Sequence, residues 1–290
     1  MSAGVAPPPN ELIEADVATA LAEDIGSGDA TASLLDDAPD HAYLLCKENC
    51  VVAGRPWFDA CHRALDSDVR IDWHCEEGDR LAKGTVAATL VGRNRSLVTA
   101  ERASLNFLQT LSGTATVTAA YVDAVRGTGT RILDTRKTIP GLRFAQKYAV
   151  RVGGGMNHRI GLFDAMMLKE NHIRAFGSVS AAIKRARALH PELPLIVEVE
   201  TLAQLREALR TGCTRVLIDD FDADTRREAV RIAHAAPFNG AIPLEVSGGV
   251  DLDTVRAIAG DGVDCISIGA LTKHIHAIDF SLKLGLPPGE

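Results

Sequence analysis

The chain has no apolar run long enough to span a bilayer. It also lacks an excess of basic charge. Lys and Arg total 31 against 38 Asp and Glu, a net charge of −7, which argues against general binding to nucleic acid or to anionic membranes. Its start, MSAGVAPPPNELIEADV, is without the basic-then-apolar order of a secretory signal. It reads as a short disordered lead-in to a helix, and a cytoplasmic protein is the expectation. Cysteine is sparse and unpatterned. Cys46, Cys50, Cys61, Cys75, Cys213 and Cys265 fit no strong zinc or redox spacing, although Cys61–His62 and His74–Cys75 place the two residue types side by side. In a reducing compartment these are expected to be structural thiols, with Cys213 and Cys265 as small core residues.

What is present suits a globular protein. Over 290 residues, 46% are apolar and 24% charged, enough for a large core in one or two domains. Two regions differ in rhythm. ELIEADVATALAEDIG reads as a helix stopping near Gly26. From about Ala42 to Val98, short apolar runs alternate with turn residues, as in AYLLCKENCVVAG, RIDWHCEEGDRL and TVAATLVG, which predicts an antiparallel sheet with a turn at Glu76–Asp79. LVTAERASLNFLQTLSGTATVTAAYVDAVRG then reads as helix, with Thr99 as a cap and Gly113 as a break into two segments.

From Arg131 onward, β-rich runs (RILDT, AMMLKE, LIVEVE, RVLIDD, IPLEVSGG, CISIGA) appear, the later ones separated by amphipathic stretches such as SVSAAIKRARALH and LAQLREALRTG. About six βα units at this spacing predict a parallel sheet, and an incomplete barrel because eight units are usual. The runs end in polar groups: Asp134, Thr135 and Arg136; Lys169–Glu170; Glu198–Glu200; Asp219–Asp220; Glu245 with Ser247, Gly248 and Gly249; and Gly269. In a parallel barrel the C-terminal strand ends converge on the active-site face.

These ends carry three kinds of chemistry. The glycines of EVSGGV and ISIGAL let backbone N–H groups approach a phosphate, helped by a following helix N-terminus; a plain βα turn is the other reading. Glu198 and Asp219 end adjacent runs and could hold a hard cation such as Mg²⁺, or be solvated carboxylates. Glu200 and Asp220 alternate in direction and face elsewhere. Arg136, Lys137, His158, Arg159 and Lys169 form a cationic set suited to carboxylates and phosphates. Lys169 also admits a Schiff-base reading. Arg143, Lys147 and Arg151 follow at helical spacing and read mostly as a helix face, near the glycine run Gly153–Gly155.

The blocks ERASLNFLQTLSGTAT, DTRKTIPGLRFAQKYAVRVGGGMNHRIGLFDAMMLKENHI, VEVET, LIDDF, EVSGGV and ISIGALTKH resemble quinolinate phosphoribosyltransferase, the decarboxylating nicotinate-nucleotide pyrophosphorylase family, over almost the whole chain. The resemblance implies an N-terminal α/β sandwich over 1–114 with the tail 273–290 returning to it, and an open α/β barrel over 115–272. It implies a homodimer that joins quinolinate to phosphoribosyl pyrophosphate, releasing pyrophosphate and CO₂ and forming nicotinate mononucleotide for NAD synthesis. Quinolinate would meet Arg136, Lys137, His158, Arg159 and Lys169, together with Arg102 lent across the dimer interface. Thr135 would join the substrate site. Glu198 and Asp219 would serve the ribose and Mg²⁺–pyrophosphate site, and Ser247, Gly248, Gly249 and Gly269 the phosphate loops. Lys137, Lys169, Glu198 and Asp219 are the catalytic candidates. Three rival readings remain open: a paralogue acting on another anionic substrate, a Schiff-base aldolase built on Lys169, and a non-enzymatic anion-binding protein.

Overall fold

Continuous apolar runs build buried strands, and all six runs of the second region do so here. The computed structural model describes residues 5–287, so the first four residues of the lead-in lie outside the described residues. In chain order the elements are α1 (Asn10–Ile25), β1 (Pro39–Cys46), β2 (Cys50–Val51), α2 (Arg55–Leu65), β3 (Arg70–Trp73), β4 (Arg80–Leu81), β5 (Val86–Arg93), α3 (Asn94–Ala124), β6 (Arg131–Leu133) and α4 (Arg143–Val152). They continue with β7 (Met166–Leu168), α5 (Glu170–Phe176), α6 (Val179–Leu189), β8 (Leu195–Val199), α7 (Leu202–Thr211), β9 (Arg215–Asp219), α8 (Ala223–His234), β10 (Leu244–Ser247), α9 (Val255–Gly260), β11 (Cys265–Ser267), α10 (Ala270–Lys273) and β12 (Phe280–Leu284).

Two compact units divide the chain. One comprises Met1–Ala119, Thr138–Gly154 and Leu271–Glu290; the other comprises Ala120–Lys137 and Gly155–Ala270.

The first unit holds an antiparallel sheet in the order β12-β1-β5-β3, as the alternating pattern predicts, with β12 of the C-terminal tail paired along β1. The predicted turn forms at Glu76–Asp79, closed by Asp79 N–H to the Glu76 carbonyl, with Gly78 at positive φ. The helix α1 stops at Gly26, also at positive φ, and buries Ile13, Val17 and Leu21 at four-residue spacing.

Helix α3 corrects one expectation. It runs unbroken through Gly113, because that glycine is needed for contact rather than for a break. A Cβ there would stand 2.2 Å from the His276 carbonyl oxygen. Nor does Thr99 cap a helix; it lies within α3 and donates its hydroxyl to Asp29. One face of α3 (Leu97, Leu105, Leu108) packs on the sheet, and another (Ala103, Phe107, Leu111, Ala115) packs on α1, α2 and α4.

The sequence reading passed over α2, whose Trp57, Phe58 and Cys61 are fully buried. Helix α4 forms where the basic spacing predicts it, but most of it is buried, Lys147 included. Its Ala145, Tyr148 and Ala149 join the core around Trp57, which draws Thr138–Gly154 into the first unit. Gly153 permits that packing, since a Cβ would meet the Ala115 carbonyl at 2.5 Å.

The second unit is a six-stranded parallel sheet in the order β6-β11-β10-β9-β8-β7, an open α/β barrel whose end strands are β6 and β7. Ser178, Thr201 and Asp222 cap α6, α7 and α8 through their side chains. All six cysteines are free and buried, as expected of structural thiols. No helix is long and apolar enough to cross a membrane among the described residues.

Candidate active site

A cavity of about 200 Å³ opens at the C-terminal ends of the parallel strands in the second unit. Thr135, Arg136, Lys137, His158, Arg159, Lys169, Glu198 and Ser247 line it, so eight of the residues singled out in the sequence meet at one place. Its position follows from strand polarity: Lys169 directly follows β7, Glu198 lies on β8, and Ser247 ends β10 beside Asp219, its register partner at the end of β9. A larger cavity in the first unit, about 380 Å³, carries Asp16, Glu23 and Asp24, the wrong sign for an anionic ligand.

The cations are held close together. Burial, then the neighbouring Arg136, pulls the Arg159 guanidinium below its ordinary pKa, a sign that positive charge is crowded here. Arg159 is aimed by its Nη1, which donates to the Ala165 carbonyl at 3.2 Å, and by its Nη2, 3.8 Å from the Met167 sulfur. Nε of Arg136 is buried with no hydrogen-bond partner among the described residues, a donor awaiting an acceptor. Just beyond β7, Lys169 Nζ donates to Glu198 Oε2 at 2.7 Å. Burial and then Glu198 push the Asp219 carboxyl above the usual range.

The glycine candidates sit beside this group. Gly248 and Gly249 both have positive φ, a turn that other residues enter only with strain, and a Cβ on Gly248 would lie 3.6 Å from Asp219 Oδ1. Gly269 brings backbone so close that a Cβ would stand 2.9 Å from Lys137 Cδ and 3.6 Å from Thr135 Oγ1. A helix, α10, starts directly after Gly269, whereas α9 starts only at Val255. The expectation of a helix N-terminus adjoining each glycine loop therefore holds for Gly269 and not for Gly248–Gly249. Asp220, just beyond Asp219, is one of the few non-glycine residues at positive φ, a strained conformation at a strand end of the kind that clusters at functional sites.

Arg102 is not part of this lining. It belongs to α3 in the first unit and faces another cavity, with Asp29 and Thr99. Conversely, the cavity includes Glu245, Ser267, Met167 and Leu217, which were not assigned to the site from the sequence. Asp134, completely buried beneath the site, accepts from Asn157 Nδ2 at 2.6 Å and from the His158 N–H at 2.8 Å. The alternation Glu-Val-Ser in β10 was the available signal, since it puts Glu245 on the same strand face as Ser247.

The fold and the cavity define an open α/β-barrel protein whose pocket gathers Arg136, Lys137, Arg159 and Lys169 at the strand ends. The family description "Quinolinate phosphoribosyl transferase, C-terminal domain" matches residues 114–283, and the N-terminal domain of the same family matches residues 29–112. The chain belongs to the quinolinate phosphoribosyl transferase family. It is 41% identical over 280 residues to a probable carboxylating nicotinate-nucleotide pyrophosphorylase of Synechocystis sp., covering 96% of this chain and 94% of that one. It is 47% identical over 247 residues to the carboxylating nicotinate-nucleotide pyrophosphorylase of Mycobacterium leprae, covering 83% and 85%. The solved structure of the nicotinate-nucleotide pyrophosphorylase from Francisella tularensis superposes with a TM-score of 0.91 at 42% identity, over 98% of this chain and all of that one.

Proposed function

We propose that this chain transfers the phosphoribosyl group of phosphoribosyl pyrophosphate to quinolinate with decarboxylation, forming nicotinate mononucleotide, pyrophosphate and CO₂. The observation that carries the reading is the crowded cationic wall. Burial and then the neighbouring Arg136 depress the Arg159 guanidinium, in a pocket where the buried Arg136 Nε has no acceptor among the described residues. A ligand with two adjacent carboxylates supplies what that wall lacks. Arg136, Lys137, His158, Arg159 and Lys169 form the quinolinate subsite. Thr135, Ser247, Gly248, Gly249 and Gly269 cradle phosphate through hydroxyl and backbone groups.

The ring nitrogen of quinolinate attacks the anomeric carbon while the bond to pyrophosphate breaks and the oxygen leaves with the electron pair. Positive charge develops on the ribose, where Glu198 and Asp219 favour it, and negative charge develops on the leaving group, where Lys137 and Lys169 favour it. The carboxylate beside the now-cationic nitrogen is then lost as CO₂. Its bonding electrons pass to the ring carbon, which takes a proton from solvent. The protein's contribution is orientation and electrostatics.

Mg²⁺ is proposed as the metal. No group of three or more His, Cys, Asp or Glu side chains could hold an ion among the described residues. Two neighbouring carboxylates, one with its pKa raised by burial and then by the other, still fit a hard cation that takes its remaining oxygens from substrate and water. Glu198 and Asp219 would hold it, directly or through water and pyrophosphate. When bound, the ion would neutralise charge on the leaving pyrophosphate.

The enzyme is further proposed to be a cytoplasmic homodimer in which Arg102 serves the partner subunit's site. Against the aldolase reading stands the ion pair of Lys169 with Glu198, which occupies the amine a Schiff base requires. Calorimetric titration with each substrate tests the pocket assignment. Quinolinate binding lost in Arg136→Ala, with phosphoribosyl pyrophosphate binding kept, supports it; equal losses for both ligands overturn it.

A further inference from the structure

The parallel sheet is open, with β6 and β7 as its end strands. The free edge of β6 is met by the segment that leads into β7. Met156 N–H donates to the Ile132 carbonyl at 2.8 Å, and Asp134 N–H donates to the Met156 carbonyl at 3.1 Å, an isolated parallel bridge between Met156 and Leu133. Further along, Met166 N–H donates to the Pro194 carbonyl as β7 joins β8. Residues 156–166 therefore span the gap between the end strands, and they carry His158 and Arg159 into the pocket.

Beyond that isolated bridge a side chain takes over from the backbone. Asp134, with 0% exposure, accepts the His158 N–H on Oδ1 at 2.8 Å and Asn157 Nδ2 on Oδ2 at 2.6 Å. His158 is itself buried, so its N–H needs a partner in place of the water it has lost. A carboxylate suits the place because both of its oxygens accept. Downstream, Asp164 holds the same span, accepting the Ile160 N–H on Oδ2 at 2.7 Å and the Gly161 N–H on Oδ1 at 2.9 Å. Arg159 lies between these two ties. Its N–H donates to His158 Nδ1 at 2.7 Å and its Nη1 to the Ala165 carbonyl at 3.2 Å.

Asp134 also directly precedes Thr135, Arg136 and Lys137, which line the pocket from the β6 side. One side chain thus joins the two halves of the cationic set, Arg136 and Lys137 from its own run and His158 and Arg159 from the span. We propose that Asp134 is a positioning residue: its carboxylate pins the span to the end of β6 and so sets His158 and Arg159 against Arg136 and Lys137 around quinolinate. Asp134 acts from beneath the pocket, through the residues that meet the substrate. The inference rests on the quinolinate reading of the pocket and deepens it.

Amide hydrogen exchange of the ligand-free protein tests the pin with no reference to quinolinate. Asp134→Ala should speed exchange at the His158 N–H about tenfold and leave β8 and β9 unchanged. Unchanged exchange at His158 overturns the pin, and protection lost across the whole sheet overturns it in favour of a general structural role. In calorimetric titrations, Asp134→Ala weakens quinolinate about tenfold, the scale of one charge-assisted contact, while phosphoribosyl pyrophosphate affinity moves less than about threefold. Equal losses for both ligands overturn the proposal. In the Arg159→Ala background the same change costs quinolinate less than in the wild type, because part of what Asp134 positions is gone; losses that multiply in full overturn it. Asp134→Asn separates placement from charge, since it keeps an acceptor for the His158 N–H and Asn157 can turn its amide to meet the new NH₂ group. It retains quinolinate affinity within about threefold, and a loss as large as that of the alanine variant would mean that charge rather than placement is supplied. Where Asp134→Ala fails to fold, Asn157→Ala removes one of the two bonds and replaces it in both measurements, with faster exchange at His158 and quinolinate about threefold weaker; neither quantity moving overturns the pin. A wild type that binds no quinolinate fails the proposed function, and the exchange measurement then decides the pin alone.

Discussion

Replacing Arg159 by alanine separates ligand recognition from folding. The guanidinium is desolvated and repelled by Arg136, so in the ligand-free protein it is held against an electrostatic penalty. Its intramolecular compensation is thin: one bond to the Ala165 carbonyl at 3.2 Å and one long contact to the Met167 sulfur at 3.8 Å. Against a carboxylate, a charge-assisted guanidinium contact is worth about 1.5–3 kcal/mol, so quinolinate should bind roughly 10- to 150-fold more weakly to Arg159→Ala. Thermal unfolding of the ligand-free variant should move the other way or not at all, since a like-charge contact has been relieved. Isothermal titration with quinolinate and with phosphoribosyl pyrophosphate, alongside calorimetric melting, reads all three quantities. A variant that melts earlier and loses both ligands alike would refute the reasoning, because Arg159 would then be a structural group.

Other expectations follow from particular contacts. Asp219→Asn should keep the fold but raise the Mg²⁺ concentration needed for half-maximal turnover; unchanged Mg²⁺ dependence would remove Asp219 from the metal site. Because burial and Glu198 raise the Asp219 pKa, its ionised form is lost early as pH falls, and saturating Mg²⁺ should carry the acid limb of turnover to lower pH. Gly113→Ala places a methyl group 2.2 Å from the His276 carbonyl and should destabilise the protein by about 2–4 kcal/mol in urea unfolding, the range of strongly overpacked sites. Glu77 is pushed up to about 7 by burial, against hydrogen bonds from the Gly54 and Arg55 N–H groups, so the native state keeps its proton where the unfolded chain has lost it. Its contribution to stability is full below its ordinary 4.5 and is lost as pH rises through about 7; Glu77→Gln should flatten that slope, and a slope unchanged in urea titrations would reject the assignment. For the shared site, mixing inactive Arg102→Ala with inactive Lys169→Ala chains under subunit exchange should restore roughly a quarter of wild-type activity, and a mixture that stays dead with exchange confirmed by mass spectrometry would rule it out.

Much of the barrel was legible because parallel strands, buried on both faces, read as continuous apolar runs, and RILDT through CISIGA all became strands. Part of the cationic wall was legible for the same reason: Arg136, Lys137 and Lys169 fall just beyond the ends of β6 and β7, where polarity fixes their direction, whereas His158 and Arg159 come from the segment that precedes β7. What escaped notice depended on contacts distant in sequence. Gly113 was read as a helix break because its propensity is poor, whereas the approach of the His276 carbonyl, visible only in three dimensions, requires it. The short helix α2 lay among strand-like segments whose rhythm concealed it, although Pro56 stands at its start as helix N-termini favour. Glu245 looked like one more polar strand residue; its partner Arg215 reaches it from β9. Lys147 followed the spacing of an exposed helix face yet is buried, because α4 joins the core around Trp57.

The most direct test of the central claim is the product balance of the purified protein supplied with Mg²⁺, phosphoribosyl pyrophosphate and carboxyl-labelled quinolinate. The account predicts that labelled CO₂ and pyrophosphate appear together in equal amounts, with nicotinate mononucleotide formed in step and no release of either when one substrate is omitted. Pyrophosphate release without CO₂, or no turnover of quinolinate by a folded protein that binds phosphoribosyl pyrophosphate, would contradict it.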